Sequence, residues 1–403
     1  MLREKQVRRG LKENWRQFTL LVVINAFVGA MVGLERTLLP LIAEADYGVA
    51  AGTAVLSFIG VFGVAKALTN YMAGTWANAL GRKRLLVWGW LFGLPVPLLL
   101  IYAPHWHWVV AANVLLGINQ GLAWSSTVVM KIDLAGEKDR GLAMGLNESA
   151  GYLAVGAVAF LSGWIASEYG LRPYPFYLGL GFALTGLLSS IFFVKDTAAH
   201  VKQEAESTGM ARLKEVFWDT TWRNRNLGAV TQAGLVNNLN DGMVWGLLPL
   251  LLTAKGFTLA ETAQVVAFYP AVWGLGQLVT GKLADIYPKK RLLFMGMLLQ
   301  GLTLLAMAFA QSYLAFVLLS TLLGAGTAVV YPTFLAAIAA HSHPAQRAKS
   351  IGIFRLWRDL GYAAGALITG LVATWLGLSA SMGAIAVLTM ASGGIIWLRM
   401  KNG

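Results

Sequence analysis

The chain has 403 residues, 57% hydrophobic and 13% charged, with a mean hydropathy of +0.61. Soluble domains hold nearer ~45–50% apolar and ~25% charged residues, so this composition argues against a soluble enzyme and against disorder. Cysteine is absent, which removes disulfides, thiol catalysis and Cys-ligated metal clusters, and the net charge of +13 is placed by membrane topology and not for nucleic acid.

A bilayer-spanning helix takes ~20 apolar residues, and twelve stretches qualify. Residues 1–17 are basic, with Arg3, Lys5, Arg8, Arg9, Lys12 and Arg16. No small-residue cleavage site follows, so the run over 18–42 reads as a retained first helix. Glu35 and Arg36 sit toward its outer end, as an outer gate or as snorkelling residues. The second stretch, 52–80, puts Lys66 and Asn70 on one face. The third and fourth cover 84–103 and 107–132, the fourth carrying Asn113 and Trp124. The fifth, 143–166, holds Asn147, Glu148, Gly151 and Tyr152; the sixth covers 174–194.

A polar linker of mixed charge follows, with Lys202, Glu204, Glu206 and Arg212. It is too short for a folded ATPase domain, so energy must come from an ion gradient or the substrate's own. The seventh stretch, 227–253, places Asn237, Asp241 and Trp245 on one face, spaced by four. The eighth to tenth cover 261–286, 290–310 and 314–340, the last with Tyr331. The eleventh, 348–374, carries Arg355, Arg358, Asp359 and Tyr362 at i, i+3, i+4 and i+7, one helical face. The twelfth covers 379–399.

With twelve alternating helices and a cytoplasmic N-terminus, 26 of the 32 Lys and Arg fall on the cytoplasmic side. Outer loops hold only Arg172 and Lys255, while Arg36, Lys66, Arg355 and Arg358 lie within spans. This is the positive-inside asymmetry, and an odd helix count destroys it. The expected location is therefore an inner membrane with both termini cytoplasmic. Of the 15 Trp, Trp15, Trp88, Trp106, Trp108, Trp164 and Trp375 read as interfacial belt residues.

The halves repeat. GTWANALGRKRLL at 74–86 meets GKLADIYPKKRLL at 281–293, an offset of 207 residues. Leu115-Leu116-Gly117 meets Leu322-Leu323-Gly324 in the same register, and Leu-Leu-Pro-Leu recurs at 38–41 and 247–250. The expected architecture is an all-α membrane protein of two pseudo-symmetric six-helix bundles, 1–194 and 227–403, joined by a cytoplasmic linker over 195–226. The offset also pairs Glu148 with Arg355, and Trp124 with Tyr331.

Gly74-x-x-x-Asn78-x-x-Gly81-Arg82-Lys83 resembles the loop motif of the major facilitator superfamily, with Asn78 where an acid is usual. The second copy keeps Asp285 but has Tyr287-Pro288 in place of Gly-Arg. The resemblance implies a cytoplasmic gate latch in which Arg82 meets Asp133, or charges that only enforce topology. It also implies a path lined by helices 1, 4, 7 and 10, and a helix 2 near helix 11, where a Lys66–Asp359 bridge would join the halves. The helix 4 arginine of drug–proton exchangers is replaced by Asn113, and GYLAVGAVAFLSG at 151–163 lacks the antiporter proline. GLNESAGYLAVG (145–156) and FRLWRDLGYAAGAL (354–367) are similar to a prokaryotic branch near the magnetosome-associated facilitators.

Charges at bilayer depth cost at least ~2.5–3.5 kcal/mol, so they should face a cavity or a partner. Arg355 or Arg358 would contact an anionic substrate or a movable carboxylate, or else tie helices together. An Arg355–Asp359 pair would leave Arg358 free. Asn237 and Asp241 would line the path, with Trp124, Trp245 and Tyr331 as walls. Glu148, Asp241 and Asp359 are the proton-coupling candidates. His105 with His107, and His341 with His343, read as loop residues and not metal ligands. No nucleotide or zinc motif appears.

The expected function is alternating-access transport of a small polar solute, anionic or complexed, coupled to protons or another ion, with no cofactor and no enzyme activity. Proton-driven drug export and a non-transporting membrane sensor are the alternatives.

Overall fold

A computed structural model describes residues 9–49 and 51–401; Arg3, Lys5 and Arg8 lie outside the described residues. Twelve spans form where apolar runs cross the bilayer, because only a helix satisfies its own backbone there. They are α1 (Trp15–Tyr47), α2 (Ala51–Leu80), α3 (Arg82–Tyr102), α4 (106–135), α5 (Arg140–Tyr169) and α6 (Tyr174–Phe192). The second set is α7 (Arg225–Ala254), α8 (Leu259–Ile286), α9 (Lys289–Phe309), α10 (Tyr313–Ala340), α11 (Pro344–Leu376) and α12 (Leu378–Arg399). Between the sets, the linker forms the short helix Ala198–Ser207.

Eight of these helices are long and apolar enough to cross a membrane by composition alone. The other four are α2, α4, α7 and α8. Among them α2, α4 and α7 hold Lys66, Asn70, Gln120, Lys131, Asn237 and Asp241. Buried charges also lie on α5 and α11, where Glu148, Arg355, Arg358 and Asp359 stand within otherwise apolar spans. α4 is broken at mid-length by a π turn, Gln120–Trp124, a widened turn that often re-aims side chains at working sites.

Helix ends follow local chemistry. Thr258 and Glu261 form a capping box at the start of α8. Asn224 caps α7 by accepting from the Asn226 and Leu227 amides, and the His343 ring caps α11 beside Pro344. These interactions satisfy amides that helix starts otherwise leave unpaired.

Within the first bundle α1 packs on α5; within the second α7 packs on α11, α8 on α10 and α9 on α12. α5 also meets α10 and α4 meets α11 across the seam, but the two largest pairings between bundles are α2 with α11 and α5 with α8. Each crossing is made by glycine. A Cβ on Gly74 would lie 2.5 Å from the Ala348 carbonyl oxygen and 2.8 Å from the Gly352 Cα. A Cβ on Gly145 would lie 2.4 Å from the Gln277 carbonyl oxygen and 2.8 Å from the Gly281 Cα. Backbones therefore touch at the linker end of the interface, and the two bundles are closed there.

Candidate substrate and coupling site

The polar groups of α2, α4, α5 and α11 meet on the seam between the bundles. Asp359 accepts from Asn70 Nδ2 at 2.5 Å, a hydrogen bond from one bundle to the other. Ser125 donates to Asn70 Oδ1 and accepts from Arg355 Nη1 at 3.0 Å. The Arg358 guanidinium donates to Asp359 Oδ1 through Nε at 2.8 Å and Nη2 at 2.7 Å. It lies 5.2 Å over the Tyr331 ring.

This corrects the expected pairing on α11. Asp359 pairs with Arg358, its chain neighbour, and not with Arg355, because Arg355 is drawn across the seam to Ser125. The direct link from α2 is likewise Asn70, not Lys66. Lys66 Nζ rests 5.6 Å from the Phe62 and Trp124 rings, within electrostatic reach of Asp359, Arg358, Arg355 and Glu148.

Glu148 on α5 is fully buried. Its Oε1 accepts from Trp124 Nε1 at 3.1 Å and Asn147 Nδ2 at 2.7 Å, while Oε2 has no hydrogen-bond partner. The offset of 207 residues that pairs Glu148 with Arg355 also pairs Tyr152 with Asp359 and Lys66 with Trp273. The duplication therefore brings unlike chemistry to matching depths.

Aromatic rings complete the seam. Tyr152 stands 5.4 Å from Trp124, 4.1 Å from Trp273 and 5.8 Å from Tyr331. The Tyr152 and Tyr331 hydroxyls share a hydrogen bond of 2.8 Å between the bundles. Trp273 and Tyr269 belong to α8 and escaped the sequence reading; the repeat register was the signal for Trp273, since it maps there from Lys66. Ser125 escaped because a lone serine in an apolar helix carries no charge signal.

Asn237, Asp241 and Trp245 share a spacing but not their surroundings. Tyr269 donates to Asp241, tying it to α8 within its own bundle. Asn237 is fully buried with neither amide atom paired. Trp245 is 44% exposed and outside the ring group. Snorkelling does not account for Glu35, which is 3% exposed and lies beside Arg36 and Asn113. It sits among Val32, Phe58, Phe62, Asn113 and Leu116. Lys131, one of the basic residues counted on the cytoplasmic side, is fully buried and donates to the Leu21 carbonyl at 2.9 Å. Trp106 is half-buried and donates to Ser57 at 3.0 Å, so it is no simple belt residue.

At the linker end, Arg82 Nε stands 3.5 Å from Asp133, and its Nη2 donates to Asn78 Oδ1 at 2.9 Å. Asn78 in turn donates to the Ala345 carbonyl of α11 at 2.5 Å. Its repeat partner, Asp285, accepts from the Gly141 and Leu142 amides at 2.6 and 2.9 Å, where the helix dipole of α5 favours an anion. Gly81 takes a φ of 85° to start α3. The linker adds Glu204, bound by Arg347 at 2.6 and 2.9 Å and by Arg140 at 2.5 Å. One carboxylate thus holds α5 of the first bundle to α11 of the second. Burial works against its charge, but the hydrogen bonds and charges of Arg347 and Arg140 prevail and bring its pKa down to about 2. Of the paired histidines, His341 meets Asn226 at 3.2 Å, and among the described residues no group of three metal-ligating side chains forms.

Two duplicated bundles around a buried polar seam define a multi-pass membrane transporter. The chain belongs to the Major Facilitator Superfamily, whose sequence profile matches residues 20–236 and 230–402; it is a transporter and not an enzyme. It is 24% identical over 395 residues to the multidrug resistance protein MdtG of Salmonella choleraesuis (strain SC-B67), covering 95% of this chain and 94% of that one. In fold it is similar to the human organic anion transporter MFSD10 (TM-score 0.78, 18% identity, 94% and 99% covered). It is also similar to the E. coli fucose:proton symporter FucP (TM-score 0.74, 14% identity, 96% and 98% covered).

Proposed function

We propose that the protein is a secondary active transporter that moves a small polar solute, anionic or complexed, across the inner (cytoplasmic) membrane by alternating access. The halves 1–194 and 227–403 rock about the seam, the linker end faces the cytoplasm, and protons drive the cycle. The observation that carries this reading is the charge of the seam. Lys66, Arg355 and Arg358 stand against Glu148, Asp359 and, within electrostatic reach of Arg358, Asp241, which leaves no surplus of acid to hold a cation, while the two guanidiniums keep donors that the seam does not meet. Arg355 Nε and Arg358 Nη1 are buried N–H groups without partners, and a guanidinium fork suits a carboxylate or phosphate. A buried unmet donor is costly, so a ligand oxyanion gains by meeting it. The similarity to magnetosome-associated facilitators keeps metal chelates, as complexed anions, within the same class.

Substrate would enter at the seam, between Tyr152 of the first bundle and Arg358 and Tyr331 of the second, when the bundles part. Trp124, Asn237, Asp241 and Trp245 complete the proposed path. Proton uptake is assigned to Glu148, Asp241 and Asp359; unchanged pH dependence of transport after neutralising all three would refute that assignment. Arg82, Asp133, Asn78, Asp285, Gly74, Gly81 and Lys66 act as the gate that closes the cytoplasmic side.

Similarity to multidrug resistance proteins favours a second reading, proton-driven export of lipophilic drugs. Flux in proteoliposomes separates the two. Arg358→Ala should remove nearly all anion transport, and a drug exporter would be indifferent to it.

A further inference from the structure

Belt aromatics belong at membrane interfaces, yet five rings gather at mid-span on the seam. Tyr152 contacts Trp124, Trp273 and Tyr331; Trp273 also lies 5.0 Å from Tyr331 and 5.9 Å from Tyr269. Trp124 and Tyr152 come from the first bundle, the others from the second. The contacts of Tyr152 with Trp273 and Tyr331 therefore separate when the bundles part, and ring faces are bared on both walls. A third buried N–H without a partner, Trp273 Nε1, lies in this group, and the Trp273 ring and the Arg358 guanidinium both pack on Tyr331. Bared rings next to unmet guanidinium donors form a surface with two chemistries. An inorganic anion would use only the donors, and a lipophilic cation would face the arginines.

We infer that the solute taken at this seam is a planar aromatic organic anion, its oxyanion held by Arg355 and Arg358 and its ring laid against Tyr152, Trp273 and Tyr331. This rests on the anion reading above and narrows it. The solute's ring replaces the ring-to-ring contacts that opening breaks, and its oxyanion satisfies the donors that the closed seam leaves unmet.

The test uses the purified full chain, in detergent for calorimetric binding and in proteoliposomes for uptake. Benzoate is compared with cyclohexanecarboxylate, which has the same charge without a planar ring, and with uncharged benzamide. Benzoate should bind roughly 3- to 10-fold more tightly than cyclohexanecarboxylate, the worth of a ring contact. Trp273→Leu should reduce that ratio to within about twofold, whatever it does to absolute uptake, and Trp273→Phe should keep the ratio. Equal binding of the two carboxylates overturns the inference and leaves the anion reading standing. So does an unchanged ratio in Trp273→Leu, which would make the rings mere packing. Benzamide binding as well as benzoate, or no binding of either carboxylate, overturns both.

Discussion

Glu204 shows how much one side chain can decide. Its carboxyl is held down to about 2, below the ordinary value of about 4.3 in an unfolded chain. A group lowered on folding stabilises the folded form above its unfolded pKa, and that contribution fades as pH falls toward the folded value. Stability of the full chain to heat should therefore weaken between about pH 4.3 and pH 2, and Glu204→Gln should be less stable at pH 7 and lose that component of the acid dependence. Equal midpoints for the two proteins at pH 7 would show that the clamp contributes nothing. At this scale the sequence was only partly legible. The spacing of Arg355, Arg358 and Asp359 marks a polar face, but which arginine meets the acid depends on Ser125, a residue 230 positions away. Glu35 looked interfacial because span edges are soft, and only packing reveals that it is enclosed.

Helices meet across the seam where side chains are missing. Overpacking costs roughly 1–3 kcal/mol, and at Gly74 the obstacle is the backbone of α11, which cannot swing aside. Gly74→Leu should shift the molecule roughly 5- to 150-fold away from the state closed at the linker end. The chain has no native cysteine, so a single Ser126→Cys beside this crossing reports the shift as faster thiol labelling; an unchanged rate would show that α2 and α11 part some other way. The spans were legible to within a few residues, since apolar length sets them. The π turn in α4 was not, because a register slip inside a continuous helix leaves no mark in hydropathy. Nor was the linker helix given its part as a clamp, since its mixed charge names no partner until Arg140 and Arg347 are seen to converge on Glu204.

For the whole molecule, the two-bundle plan follows from the repeated motif and from an even count of spans. Sidedness is a prediction. Tags fused to the two ends should both be digested in inside-out vesicles and both protected in right-side-out ones; opposite behaviour of the two tags would break the twelve-span topology. The repeat predicted equivalence of position but not of chemistry. Glu148 against Arg355, and Lys66 against Trp273, show that duplicated sites have diverged, so the halves cannot exchange roles in the cycle.

The glycine crossings have a bearing on leakage. Main chain presses on main chain at both of them, and the void beside Ser125 and Ser126 has a volume of about 10 Å³, space for one water at most. A file of waters, which an ion or proton would need as a wire, would have to part the α2–α11 crossing to pass that void. In this posture the carrier should act as an electrical insulator, and a cell could keep many resting copies without short-circuiting its own membrane potential.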